Sequence, residues 1–433
     1  MLQPFLKLIE ATQTDELTGL YTKSFFMEYA NRIYLEDRDK AWDAIVININ
    51  SFHTVNAING YSFGDGVLKA LGSEINGFLS ENEGIAGHFE ADHFAILCSP
   101  FEDYKSLYDR LQKKIEKLYA NGEIRLRMGV RPWQKGVSPQ YLLEQALAAC
   151  NIARKKLSTY LVIFDDDMKR QEDRKMRILN DFSRALKERE FEVYYQPKYN
   201  IQTATPELYS AEALVRWHHH ELGLISPGEF IPLLEENGTT VAVDIYVWRE
   251  AAKQAALWQK KYGRLIPVSI NLSRIDIFDP TIEEVLDKIL EENGLDHDAI
   301  SLEITESAYC ENTDEILSVI ETLHQKGYRI EMDDFGTGYS SLNMLYFMPI
   351  DVLKMDRTFV NNIEHSERKL HFLELILDIA KKLNVPVIAE GVETEAQYDI
   401  LKRAGCAYAQ GFYLNKPLTA YDFETKVIEA ENA

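Results

Sequence analysis

SLEITES (301–307), a helical pattern over 313–326 and then RIEMDDFG (329–336) form the unit on which the fold turns. Both runs are largely apolar and end in acids: Glu303 with Glu306 in the first, Asp333 with Asp334 in the second. Short apolar runs bounded by polar residues read as buried strands, and an amphipathic helix between two of them reads as a crossover that keeps the strands parallel. The unit recurs on both sides. FEVYYQP (191–197), LYSAEALVRW (208–217) and IPVSINLS (266–273) come before it; VLKMDR (352–357), VPVIAEGV (385–392) and YAQGFYL (408–414) come after. Most are separated by helical patterns, at 240–261, 281–292, 366–383 and 394–404. Eight strands with intervening helices over about 255 residues predict an α/β fold, a (β/α)8 TIM-like barrel.

The N-terminal part alternates differently. Strand-like runs at 41–49, 85–89, 93–98, 124–130 and 160–164 are interleaved with helical patterns at 23–36, 63–80, 101–119 and 138–156, which predicts an α/β sandwich. From Asp165 to Arg189 the chain is heavily charged, with Met176, Leu179, Phe182 and Leu186 at helical spacing. That stretch reads as an amphipathic connecting helix. The boundary falls near residue 170 and gives two domains, 1–168 and 169–433.

The 433 residues carry 69 acidic and 47 basic side chains, a formal charge of −22. So anionic a surface repels a polyphosphate, which argues against a DNA or RNA polymer as partner. A small phosphorylated ligand needs local reversal of that sign. Cys98, Cys150, Cys310 and Cys406 are isolated, without metal-ligand spacing, and read as reduced intracellular thiols. No apolar run reaches the roughly 18 residues of a membrane span, and MLQPFLKLIE is too polar for a signal peptide. The expectation is a cytoplasmic chain without a membrane segment.

The eight runs end, in order, with Gln196, Glu212 and Arg216, Asn271, Glu303 and Glu306, Asp333 and Asp334, Lys354, Glu390 and Glu393, and Gln410. One acid at a strand end is an ordinary solvated turn. A succession of them matches the face where such barrels place their chemistry. Crowded carboxylates need cations, and an oxygen-rich set with one amide suits Mg²⁺ or Mn²⁺. The adjacent pair Asp333-Asp334 allows one side chain to bridge two ions about 3.5–4 Å apart, the clamp used at phosphorus. Arg216 adds a bidentate phosphate contact and Lys354 a group to orient water. Gly336 and Gly338 allow tight turns just after the acids. His218, His219 and His220 cannot all face one way and read as surface or turn residues.

YYQP (194–197), AEALVRW (211–217), INLS (270–273), LEITES (302–307), DDFGTGYSSL (333–342), LKMD (353–356), AEGVET (389–394) and QGFYLNKP (410–417) resemble, in unbroken order over 175–430, the motifs of EAL-domain phosphodiesterases. The resemblance implies linearisation of cyclic di-GMP to 5′-pGpG with two divalent cations, Mg²⁺ or Mn²⁺. By the same resemblance Glu212, Asn271, Glu303 and Asp333 hold one ion, and Asp333, Asp334 and Glu390 the other. Lys354 binds and helps deprotonate the attacking water. Glu306 holds the DDFGTG loop near a dimer interface, so a homodimer through this domain is expected. Gln196, Arg216, Glu393 and Gln410 line the substrate or water shell. The alternative is a non-hydrolytic cyclic di-GMP receptor; such relatives lose metal acids or the lysine, which are present here.

DELTGLY (15–21), FHTVNAINGYSFGDGVLKALG (52–72) and HFEADHFAIL (88–97) resemble the landmarks of GGDEF diguanylate cyclase domains. The signature hairpin, however, reads Glu90-Ala91-Asp92-His93-Phe94 in place of two glycines and two acids. Asn48 stands at the first metal aspartate, Asn50 and His53 replace the usual Asp and Lys, and Glu81-Asn82-Glu83-Gly84 replaces the inhibitory RxxD. The resemblance therefore implies a degenerate domain, a regulatory or dimerisation module without cyclase chemistry.

Overall fold

Along Asp43–Ile49 the side chains alternate between two apolar surfaces. Ala44 and Val46 pack with Phe26, Ala30, Leu142 and Cys150, whereas Ile45 and Ile47 pack with Leu71, Ile75, Leu107 and Leu111. A strand buried on both faces needs helices on both sides of its sheet. A computed structural model, which describes residues 13–118, 124–156, 158–309, 313–336 and 348–431, has that arrangement. Cys310 and residues 337–342 of the DDFGTGYSSL segment, Gly338 among them, lie outside the described residues.

The chain divides into two units, Met1–Arg174 and Lys175–Ala433. In the first, β1 (Tyr21–Thr22), β2 (Asp43–Ile49), β3 (Gly84–Glu90), β4 (His93–Cys98), β5 (Leu126–Arg131) and β6 (Leu161–Ile163) form one sheet in the order β1-β3-β4-β2-β5-β6. Helices Lys23–Glu36 and Pro139–Lys155 cover one face, and Tyr61–Glu81 and Tyr104–Glu116 the other. The pattern read over 63–80 is helix Tyr61–Glu81; a further short helix, Phe52–Asn59, precedes it, and Gly60 turns the chain between them at φ +83°.

The second unit contains β7 (Phe191–Asn200), β8 (Glu207–His219), β9 (Gly223–Ile225), β10 (Val268–Asn271), β11 (Ile300–Thr305), β12 (Arg329–Phe335), β13 (Val352–Met355), β14 (Val387–Ala389) and β15 (Tyr408–Ala409). Strands β10 to β15 follow one another in parallel, and pairing of β10 with β8 closes the barrel. Its first strand departs from the (β/α)8 expectation: β7 is antiparallel to both β8 and β15. Gln196 therefore sits in mid-strand and faces Glu212 by register, instead of ending a parallel strand at the barrel mouth. Outward residues such as Ile270, Leu302, Ile304, Ile330, Met332 and Leu353 are buried in one apolar core. The alternate residues Ser269, Glu303, Glu331, Asp333 and Lys354 are just as buried, so the barrel interior is polar.

Among the described residues no helix is long and apolar enough to cross a membrane. Cys98, Cys150 and Cys406 are buried and free. Burial pushes each of these thiols up to about 12, so they are protonated and inert at neutral pH.

Candidate active site

Lys354 is the third residue of β13, and its side chain enters the barrel between the acids of the neighbouring strands. Its Nζ lies 2.7 Å from Glu303 Oε2, 2.8 Å from Glu390 Oε1, 3.0 Å from Asp333 Oδ1 and 3.8 Å from Glu212 Oε2. Four carboxylates from four strands or strand ends thus converge on one ammonium group that is 1% exposed. Burial works against the charge on Lys354, but Asp333, Glu212, Glu303 and Glu390 together raise its pKa well above the ordinary lysine value. Without divalent ions the lysine is the cation that balances these acids.

The acids differ among themselves. Burial, reinforced by Glu303, pushes Glu212 up to about 7; burial, opposed by Lys354 but assisted by Asp333, pushes Glu390 up to about 8. Glu303 is buried as deeply, yet Lys198 and Lys354 hold it well below the usual carboxylate range. Asp334 is raised by burial and by Asp333. It also sits at φ +55°, in the left-handed region, with its N–H donating to Asp333 Oδ1 at 2.9 Å. A non-glycine residue held there stores strain beside the chemistry. All these donors are oxygens, they come from a rigid barrel, and they already gather positive charge. The set fits hard divalent ions.

Around this centre Gln410 Nε2 donates to Glu212 Oε2 at 2.6 Å, and Gln196 Nε2 donates to the Asn415 carbonyl at 3.1 Å. Glu306 is buried, and its Oε2 accepts the Gly336 N–H at 2.9 Å, at the start of the segment after the acids. Gly336 has φ +94°, and a Cβ there would lie 2.2 Å from the Phe359 ring. Asn271 ends β10 in register with Glu303; its amide is exposed and its carbonyl accepts from Trp248 Nε1. Arg216 is half-buried, with its guanidinium 5.7 Å from the centre of the Tyr194 ring. Glu393 is exposed, and its N–H donates to Gln397 in the cap of helix Glu395–Arg403. The structure thus joins Glu212, Glu303, Asp333, Lys354, Glu390 and Gln410 directly, keeps Asp334 and Glu306 adjacent, and leaves Asn271, Arg216 and Glu393 around the opening.

Beneath the acids lies a layer the strand-end reading missed. Lys198 Nζ donates to Glu331 Oε2 at 2.6 Å and to Glu303 Oε1 and Ser269 Oγ at 2.7 Å each. The signal was period two: Lys198 follows Gln196, and Glu331 precedes Asp333, each by two residues on the same strand face.

The histidine run is not wholly at the surface. His219 is buried; its Nδ1 accepts from the Glu221 and Leu222 N–H groups, so Nε2 is the nitrogen that donates to Asp181 at 2.9 Å. Ligand atoms of Glu190, His219 and His220 lie within 4.8 Å of one another, but Arg184 already occupies Glu190 and His220. In the first unit Asn48 Nδ2 donates to Asp92 Oδ2 at 2.7 Å and lies 3.3 Å from His93 Nε2. Ala91 keeps a glycine-like φ of +44° at the hairpin tip.

Comparison with known proteins follows this division. The family described as "EAL domain" matches residues 179–417, and "Diguanylate cyclase, GGDEF domain" matches 12–158. The chain is 31% identical over 432 residues to the "Bifunctional diguanylate cyclase/cyclic di-GMP phosphodiesterase MucR" of Pseudomonas aeruginosa, covering 96% of this chain and 61% of that protein. It is 30% identical over 419 residues to the "Cyclic di-GMP phosphodiesterase PdeR" of Escherichia coli, covering 95% of this chain and 62% of that protein. The chain spans about three fifths of the length of these two relatives. Among solved structures, "PaMucR Phosphodiesterase, c-di-GMP complex" is similar at a TM-score of 0.54 and 36% identity, covering 57% of this chain and 99% of that one.

Proposed function

The chain belongs to the EAL-domain family, with a GGDEF domain ahead of the barrel, and from that premise we propose that it hydrolyses cyclic di-GMP to linear 5′-pGpG. The observation that carries the reading is the set of four carboxylates, from Glu212, Glu303, Asp333 and Glu390, gathered on Lys354. Glu212, Asn271, Glu303 and Asp333 would hold one Mg²⁺ or Mn²⁺, and Asp333, Asp334 and Glu390 a second. Bound there, such ions polarise the scissile phosphate and make water a better nucleophile.

The protein's own groups do the rest. In hydrolysis, water oxygen bonds to phosphorus, the bond from phosphorus to one 3′ oxygen breaks, and that oxygen leaves with a proton. Lys354 would donate a hydrogen bond that orients the water and steadies negative charge, and with divalent ions beside it lowering its pKa it would help to deprotonate that water. Asp334 and Glu390, whose pKa values are raised without the ions, would give up their protons when the second ion binds. Arg216, half-buried beside Tyr194, would grip a non-bridging phosphate oxygen, with Gln196, Gln410 and Glu393 toward the substrate.

In the first unit Asn48, which by resemblance stands at a cyclase's metal aspartate, is hydrogen-bonded to Asp92 and His93. This supports a regulatory module that does not make cyclic di-GMP. A homodimer through the barrel is supported by helix Glu367–Lys382, which exposes Phe372 (51%) and Leu375 (53%). Phe372 stacks on Phe359, the ring against Gly336, which links that face to the acids. The two units together read as a cytoplasmic signalling protein.

The test is incubation of the chain with cyclic di-GMP and Mg²⁺, with and without EDTA. Linear product that EDTA abolishes supports the enzyme, whereas binding without product supports the receptor. Formation of cyclic di-GMP from GTP would overturn the regulatory reading of the first unit.

A further inference from the structure

Lys198 is fully buried, and all three of its ammonium protons have partners: Ser269 Oγ, Glu303 Oε1 and Glu331 Oε2, each within 2.7 Å. These partners sit on β10, β11 and β12. Ser269 lies two residues before Asn271, and Glu331 two before Asp333. One ammonium group on β7 therefore ties together the three strands that carry Asn271, Glu303 and Asp333. Glu303 itself is divided between two lysines, with Oε1 on Lys198 and Oε2 on Lys354. Glu331 matches the charge of Lys198, so the floor pair is neutral and the charge of Glu303 is left for the mouth.

We propose that Lys198, balanced by Glu331 and braced by Ser269, is a positioning residue for the divalent-ion site: it commits one oxygen of Glu303 to the protein and fixes the other toward the ion. The inference rests on the metal-dependent reading above. Removing Lys198 alone would confuse matters, because the extra net negative charge would attract a cation even as the ligand loosened. The double variant Lys198→Met/Glu331→Met keeps the net charge, and apolar groups of similar size commonly replace a buried ion pair without loss of stability.

The full-length chain and the double variant are titrated with Mn²⁺ by electron paramagnetic resonance, and their melting temperatures are measured in EDTA. The expected result is a variant that melts like the parent but binds Mn²⁺ about 10–100-fold more weakly, as partners of metal ligands generally show. In turnover its Mn²⁺ requirement rises by the same factor, added Mn²⁺ restores kcat, and KM for cyclic di-GMP at saturating Mn²⁺ stays put. A folded double variant with unchanged Mn²⁺ affinity overturns the proposal and leaves the floor as packing only. Should the double variant fail to fold, Ser269→Ala, which removes one brace, must still weaken Mn²⁺ binding; unchanged affinity there overturns it equally. A parent protein that binds Mn²⁺ but does not hydrolyse cyclic di-GMP refutes the activity and leaves this inference standing, whereas one that binds no Mn²⁺ refutes both.

Discussion

Replacing Lys354 with methionine keeps most of the side-chain volume and removes the one charge on which Glu212, Glu303, Asp333 and Glu390 converge. Three of those contacts are 3.0 Å or shorter, in a site where Lys354 is 1% exposed. At an effective dielectric constant near 20, a unit pair 4 Å apart interacts by about 4 kcal/mol. Desolvation offsets much of that attraction, and removing one partner of a buried pair typically costs about 3–5 kcal/mol. For a unit of the barrel's size this corresponds to a drop of roughly 6–20 °C in the melting temperature of metal-free protein. The loss depends on pH with a definite sign. Glu212 and Glu390 have folded pKa values of about 7 and about 8, above their unfolded value, so the folded state holds protons that the unfolded state has released. Stability therefore falls as pH rises through that window, and without the ammonium the fall steepens. The assay is thermal melting in EDTA at about pH 6 and about pH 8.5, then again with Mn²⁺. The expected outcome is a large deficit at the higher pH that Mn²⁺ mostly repairs, without return of turnover. A variant that melts with the parent in EDTA at the higher pH would refute the view that Lys354 is the counter-charge. Near-normal hydrolysis by it would refute its catalytic assignment.

Other consequences can be checked singly. Asp276 is buried, half-buried Asp244 shares a hydrogen bond with it, and desolvation together with Asp276 pushes Asp244 up to about 8. The folded state thus holds a proton there that the unfolded state loses above its ordinary value of 3.8, and stability declines as pH rises toward and through 8. Asp244→Asn should flatten the melting-temperature profile and raise its alkaline end; an unchanged slope counts against this pairing. Gly336→Ala must strain the left-handed backbone, by about 1–2 kcal/mol, and drive Phe359 away, so kcat should fall and the melting temperature drop by about 2–8 °C. Parent-like turnover by that variant would show that the start of the loop tolerates movement. Phe372→Glu should give a monomer by light scattering, and a surviving dimer would exclude helix Glu367–Lys382 as the interface.

The acids were legible in the sequence because a buried parallel strand has few ways to end, and Glu303, Asp333 and Glu390 stand where apolar runs stop. Strand direction was not legible from alternation, since FEVYYQP has the same period read either way. The missed cue was the connection: only Ile201–Pro206 separates β7 from β8, too little for a parallel crossover, which needs a dozen or more residues. Lys198 and Glu331 were missed for a different reason. Attention to strand ends overlooks the interior layer below, where a typical barrel carries Val, Ile and Leu. The same period that puts Asp333 inside also puts Glu331 inside, and a buried acid implies a buried base within reach of it. Glu331 thus points to a cation that Lys198 supplies. Applied to the layer above, the same reasoning finds Glu212, Glu303, Asp333 and Glu390 around Lys354, the one cation that the described residues bring to all four. That layer keeps an excess of negative charge, partly relieved by protons on Glu212 and Glu390. An acidic layer left short of cations above a neutral floor is what a site that binds divalent ions requires, and a barrel stabilised only by internal ion pairs would have balanced both.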